Sequence, residues 1–190
     1  MNLSVKGGII VKEYNSKGEL TNKYCNKSDL ITKNMILYLY FMLTGKKQTL
    51  KDINGNTFEI DGLIINESGA VAPANNTKYG IILGQDNELS YNDYKIENPL
   101  TSSDISYGEC SKYSWQNSNN MWNNRIGITR KITYNGSGQL IITCIGLITK
   151  LTISSGTSYY VLLMKDKYTK TMNKGDSIEV TQYFEVNPTT

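Results

Sequence analysis

The strongest constraint in the chain is the period-two alternation of its last third. Ile126, Ile128, Arg130, Ile132 and Tyr134 point one way, and Gly127, Thr129, Lys131 and Thr133 the other. Ser177 to Val186 repeats the pattern: Ile178, Val180, Gln182 and Phe184 oppose Glu179, Thr181, Tyr183 and Glu185. Successive side chains leave opposite faces of a strand, so this spacing describes strands with one buried face. Between them, Leu140 to Leu151 is a nearly continuous apolar strand, and Tyr159 to Asp166 (YYVLLMKD) is another. Asn135-Gly136-Ser137-Gly138 reads as a hairpin turn and Asn173-Lys174-Gly175-Asp176 as a further turn. Short strands separated by turn signals predict a mainly β fold, an antiparallel β-sandwich.

The earlier part of the chain adds to this frame. Val5 to Tyr14 and Glu19 to Asn26 form an opening hairpin about the turn Asn15–Gly18. Gly7-Gly8 marks a bulge or a close backbone approach. Tyr79 to Gly84 (YGIILG) is a buried strand flanked by glycine, and Ile105 to Trp115 is a further, weakly alternating strand.

Asp29 to Leu43, DLITKNMILYLYFML, has helical rather than strand spacing, although an apolar run can also be a buried strand. Its apolar residues cover most of a helix circumference, which predicts one buried α-helix near the N-terminus. Ser28 or Asp29 would cap its start. Gly45 would end it in the left-handed conformation, with Lys46 and Lys47 favoured by the dipole. The run falls short of the about 20 apolar residues that cross a bilayer and contains Lys33 and Asn34, so no membrane association is expected.

Composition narrows the function classes. The 190 residues are 39% hydrophobic and 19% charged, which suits one globular domain over 1–190. A net charge of +3, with Arg125 and Arg130 the only arginines, gives no basic stripe for specific nucleic-acid binding. The three cysteines, Cys25, Cys110 and Cys144, are odd in number and widely spaced, so reduced thiols are expected. No secretory signal is visible in MNLSVKGGII.

Candidate sites are weak. The chain has no histidine, which removes the usual triads and most zinc sites. Asp86, Glu88, Asp93 and Glu97 could form a carboxylate pair for glycoside hydrolysis or an oxygen-rich calcium site, but the same residues suit a solvated loop. The expectation is therefore no enzyme, no catalytic residue, no cofactor and no metal. Tyr107, Tyr113, Trp115 and Trp122 lie near Asn-rich sequence, where they serve edge packing, an assembly contact or stacking on a glycan.

Lys46 to Lys78 is the least regular stretch, read as a small hairpin followed by a loop through Ala70–Pro73. It is a plain solvent loop, an extended assembly arm, or a segment that folds back onto its own sandwich. Phe58, Ile60, Leu63, Ile64, Ile65 and Val71 need cover that a short hairpin does not provide alone. With Tyr113, Trp115 and Trp122 they make up the expected interface.

The order of these pieces resembles a family of small tail- and neck-associated virion proteins of bacteriophages. The resemblance runs from Val5 to Val186. It rests on the opening hairpin, the DLITKNMILYLYFML helix and the YGIILGQDNELSYNDYKIENPL segment. The NRIGITRKITYNGSGQLIITCIGLI hairpin and the closing YYVLLMKDKYTKTMNKGDSIEVTQYFEV complete it. Lys46 to Lys78 has no counterpart. Richness in Asn, Lys, Ile and Tyr suggests an AT-rich genome of the gut-phage type. The resemblance implies a non-enzymatic structural protein, made in the host cytoplasm and carried in the virion. It would form a ring or collar with copies of itself and with portal, neck or tail components. A receptor- or glycan-binding tail or head fibre domain is the alternative.

Overall fold

The computed structural model describes residues 2–26, 30–114 and 125–189. The elements are β1 (Asn2–Tyr14), β2 (Leu20–Asn26), β3 (Leu30–Ile31), α1 (Lys33–Thr44), β4 (Gln48–Lys51), β5 (Thr57–Ile60) and β6 (Gly80–Gly84). β7 (Ile105–Ser114), β8 (Arg125–Tyr134), β9 (Leu140–Thr152), β10 (Ser158–Met172) and β11 (Ser177–Thr189) follow. A five-stranded sheet has the order β2-β1-β11-β8-β7, and a four-stranded sheet the order β3-β10-β9-β6. All their pairings are antiparallel. Both sheets contribute to one hydrophobic core, from Ile9, Val11, Ile132 and Val180 on one side to Ile81, Ile145, Leu162 and Met164 on the other. The fold is the expected mainly β architecture, with a single α-helix among the described residues.

The alternation places most of the inner faces as expected: Ile128, Arg130, Ile132 and Tyr134 of β8 and Ile178, Val180 and Gln182 of β11 are buried, whereas Ile126 is exposed and Thr181 and Tyr183, on the other face of β11, are buried as well. The opening hairpin forms, with Gly18 in the left-handed region at φ 79°. Gly8 is a close approach and not a bulge, because β1 and β11 stay in register through Gly8 and Tyr183. A Cβ on Gly8 would stand 2.4 Å from Tyr183 Cζ, so only glycine leaves room for that ring.

The Asn135–Gly138 turn corrects one expectation. It is not a hairpin, because β8 pairs with β11 and β7 whereas β9 pairs with β10 and β6. The chain crosses here from one sheet to the other. The backbone bonds at the crossing go to neighbouring loops: Asn135 N–H donates to the Asp104 carbonyl, and Tyr134 N–H to that of Asp176. Asn173–Asp176 makes a second crossing, and the true hairpin of this region joins β9 to β10. Turn residues specify a reversal, not which sheet the next strand enters.

Helix α1 starts later than expected. Leu30–Ile31 pairs with β10, and Thr32, not Ser28 or Asp29, caps the first turn by accepting from the Met35 N–H. Residues 27–29 lie outside the described residues. Gly45 ends the helix at φ 66°, as its sequence predicts. The helix is not enclosed. Asn34 and Met35 are buried, and Leu37, Tyr38, Leu39 and Phe41 pack on the core, but Ile36, Tyr40, Met42 and Leu43 face outward.

The Lys46–Lys78 stretch folds back onto its own sandwich. β4 and β5 pair about Asp52, whose Oδ1 accepts from the Asn54 and Asn56 N–H groups. Phe58 and Ile60 are buried, with the Phe58 ring stacked 3.8 Å from that of Tyr159. Bridges from Leu63 to Ile153 and from Gly69 to Lys150 hold the rest against β9 and its turn. The premise that these apolar residues await a partner is corrected: the chain's own core covers Phe58 and Ile60.

Candidate functional site

Three features of the structure can do more than fill a core. The first is the outward face of α1. Ile36, Tyr40 and Leu43 recur at helical spacing on one side, and Met42 flanks them. Leu43 is 83% exposed and Met42 53%. Beside the helix, Lys33, Leu37, Lys51, Thr57, Asn92 and Tyr94 line part of an open groove of about 710 Å³. Lys51 Nζ lies 3.9 Å from the centre of the Tyr94 ring, close enough for a cation–π contact.

The second feature is a lysine withdrawn from water. Lys165 on β10 is 2% exposed. Its Nζ lies 2.7 Å from Asp86 Oδ2 and 2.9 Å from Asp93 Oδ2. Asp86 lies two residues beyond β6 and is itself buried. It also accepts from the backbone: Glu97 N–H donates to Oδ2 at 2.8 Å and Asn98 N–H to Oδ1 at 2.9 Å. Burial pushes the Asp86 carboxyl up. The Lys165 ammonium and the two N–H donors outweigh it, holding the carboxyl below its ordinary value. Burial likewise pulls the Lys165 amine down, and its bonds to both carboxylates outweigh that and raise it. Cys144 lies against this site, close to Gly84, and burial drives its thiol up to about 11.

The third feature is Arg130, with 0% exposure. Its Nε donates to the Gly108 carbonyl at 2.8 Å, Nη1 to that of Ile81 at 2.9 Å and Nη2 to that of Asn76 at 2.7 Å. Its guanidinium carbon stands 4.6 Å from the centre of the Tyr107 ring. The carbonyls of Tyr79 and Pro73 complete the cage, and burial lowers the pKa of the guanidinium.

The carboxylates singled out in the sequence separate into two kinds. Asp86 and Asp93 meet at Lys165, while Glu88 and Glu97 are exposed, with Glu97 paired to Lys95 at 2.7 Å. Among the described residues, no group of three or more His, Cys, Asp or Glu side chains could hold a metal ion. The three cysteines are free, Cys25 exposed and Cys110 and Cys144 buried.

Of the expected interface residues, Phe58 and Ile60 are in the core, Leu63 and Ile64 are half-buried and Val71 is exposed. Tyr113 is half-buried, its ring 6.2 Å from that of Tyr183. Trp115, Trp122 and the side chain of Ile65 lie outside the described residues. Among the described residues, Phe58 and Ile60 are taken up by the core and are not free to join such an interface. Sequence reasoning missed both Lys165 and the outward helix face. A lysine inside the run YYVLLMKD was a usable signal, since a cation in a buried strand requires acceptors that answer its charge.

No protein-family model, curated protein or solved structure matches the chain.

Proposed function

We propose that this chain is a non-enzymatic structural subunit that assembles with copies of itself through the outward face of α1. In the setting suggested by the order of its sequence elements, it is a ring or collar component of a bacteriophage tail or neck. One observation carries this reading. A short helix seated on the core by one face presents Ile36, Tyr40, Met42 and Leu43 on the other. Large side chains grouped this way lose favourable burial in a lone molecule and mark surfaces that another protein covers. The sandwich behind them supplies a rigid base.

Native mass spectrometry with light scattering tests the proposal. The wild-type chain is expected to form a defined oligomer. A Tyr40→Asp/Leu43→Asp variant is expected to be monomeric with an unchanged circular dichroism spectrum. A wild-type chain that stays monomeric at high concentration overturns the reading.

The groove beside the same helix favours one second reading, a glycan- or receptor-binding domain. Lys33, Asn92 and Tyr94 offer polar and aromatic contacts there. A monomeric protein that binds acidic or neutral oligosaccharides, and loses that binding on Tyr94→Ala, would favour it.

A further inference from the structure

From the geometry around Lys165 we infer that this chain carries a self-made covalent cross-link, an isopeptide bond between the Lys165 amine and the Asp86 carboxyl, with Asp93 as proton carrier. The inference goes beyond the assembly reading and stands or falls separately from it.

The reacting groups are already in place. Nζ is 2.7 Å from Asp86 Oδ2, so the carboxyl carbon Cγ lies one bond beyond an atom that Nζ touches. Both side chains are almost wholly buried, Lys165 on a central strand and Asp86 two residues beyond the end of an edge strand. Asp93 is the second carboxylate on the same nitrogen, at 2.9 Å, and the Ser90 N–H at 3.0 Å fixes its Oδ2. A lone buried ion pair needs one carboxylate, and this lysine has two. The Asn98 N–H, 2.9 Å from Oδ1, is placed to stabilise negative charge as it develops on that oxygen.

The step balances without a further reactant. The Lys165 ammonium passes one proton to Asp93. The freed amine attacks Asp86 Cγ, forming the C–N bond, and charge collects on Oδ1 against the Asn98 N–H. The C–Oδ2 bond breaks as Oδ2 takes the proton held by Asp93 and a second proton from the nitrogen. Water leaves, one proton stays on the amide nitrogen, and Asp93 ends as it began. Nothing is oxidised or reduced. In water, condensation of an ammonium with a carboxylate is unfavourable. Fixed, desolvated groups can have effective concentrations of about 10⁵–10⁸ M, which shifts that balance toward the amide. The bond would tie the irregular segment between β6 and β7 to the centre of the four-stranded sheet.

Intact-mass spectrometry of the folded full chain decides the matter. The expected mass is the sequence mass less one water. Tandem spectra of a digest are expected to contain a branched peptide joining the segments around Asp86 and Lys165. Lys165→Arg and Asp93→Asn, checked for folding by circular dichroism, are expected to keep the full sequence mass. Wild-type protein that retains its full mass after prolonged incubation overturns the proposal. So does a water loss that maps to a succinimide at Asp61-Gly62 and not to the branched peptide. An Asp93→Asn chain that condenses as fast as wild type overturns the role of Asp93.

Discussion

Arg130 and Lys165 are both cations removed from water, and the chain accommodates them by opposite means. Lys165 is a point charge answered by two side-chain carboxylates. Arg130 is a planar fork answered by backbone carbonyls of Gly108, Ile81 and Asn76 and by the Tyr107 ring. The titration directions follow. Carboxylates raise the Lys165 amine against its burial, whereas burial prevails at Arg130 and lowers it. The difference has a structural meaning. Side-chain partners can be substituted together with the cation, but carbonyls cannot be removed from a backbone. Arg130 gathers carbonyls from both sheets and the loop before β6, so it fixes chain path as well as charge. Gly80 belongs to the same cage. At φ 91° it adopts a conformation that side chains avoid, and a Cβ there would stand 3.3 Å from Arg130 Nη1.

The largest effect should come from breaking the carbonyl cage. Arg130→Met leaves several buried carbonyls without donors, at about 1–3 kcal/mol each. Set against a total stability of about 5–15 kcal/mol, this is expected to prevent folding, read as loss of soluble protein or of the β signal in circular dichroism. Arg130→Lys should recover little, because an ammonium cannot span the same acceptors. A well-folded Arg130→Met chain would show that the cage is dispensable.

Lys165→Met comes next. Measured against wild-type chain in which Lys165 and Asp86 are not yet condensed, it takes the cation away from both carboxylates and should destabilise the chain by about 3–5 kcal/mol in a urea titration. The contrast with Arg130 lies in the rescue. Adding Asp86→Leu and Asp93→Leu to Lys165→Met should restore much of the loss, since an apolar replacement of a buried ion pair is often neutral. No set of side-chain changes should rescue Arg130→Met. Equal rescue at both sites, or at neither, would erase the distinction.

A pH series at a third buried charge sharpens it further. Glu13 is buried and accepts from Lys170, Tyr168 and Asn22. Burial pushes its carboxyl up, and those bonds outweigh it and hold the carboxyl below the ordinary 4.5. A depressed carboxylate pKa contributes stability that is present above the unfolded value and is lost as pH falls through the folded one. The melting-temperature difference between wild type and Glu13→Gln should therefore be constant at neutral pH and shrink below about pH 4.5. A difference that grew on acidification would reverse the sign and refute the assignment.

How much of this was legible in the sequence depends on how far apart the partners lie. Alternation in Ile126–Tyr134 and Ser177–Val186 gave the strands and most of their inner faces, because period two is a local record of one-sided burial; it failed at Ile126, which is exposed, and at Thr181 and Tyr183, which are buried on the other face. It put Arg130 and Gln182 among the apolar residues, and both are buried. It did not reveal that Asn135–Gly138 changes sheets, since that depends on bonds to Asp104 and Asp176. The carbonyl cage was illegible because carbonyls carry no residue identity. Asp86 and Asp93 were visible as carboxylates, but their convergence on Lys165 bridges more than 70 positions. The helix misled in the opposite way. Its apolar circumference implied enclosure within its own domain, whereas its own core covers only part of that surface.

The smallest expected effect concerns Gln182, the buried polar group given neither solution. Its amide is 0% exposed on the inner face of β11, opposite Ile9 and Ile128 in the register, and neither its Nε2 nor its Oε1 has a partner among the described residues. Carboxylates answer Lys165 and carbonyls answer Arg130, but an amide between isoleucines loses its bonds to water and regains none. Leaving such a group unsatisfied costs about 1–3 kcal/mol. Gln182→Met keeps a similar length and volume and removes both unsatisfied atoms, so it should raise stability by up to that amount. For a chain of this size the melting temperature would rise by about 2–4 °C per kcal/mol. Buried polar groups are usually paired, and internal water is the common remedy. An unchanged or lower melting temperature in Gln182→Met would mean that ordered water bonds the amide. The core would then hold a third means of accommodating polarity beside the ion pair and the carbonyl cage.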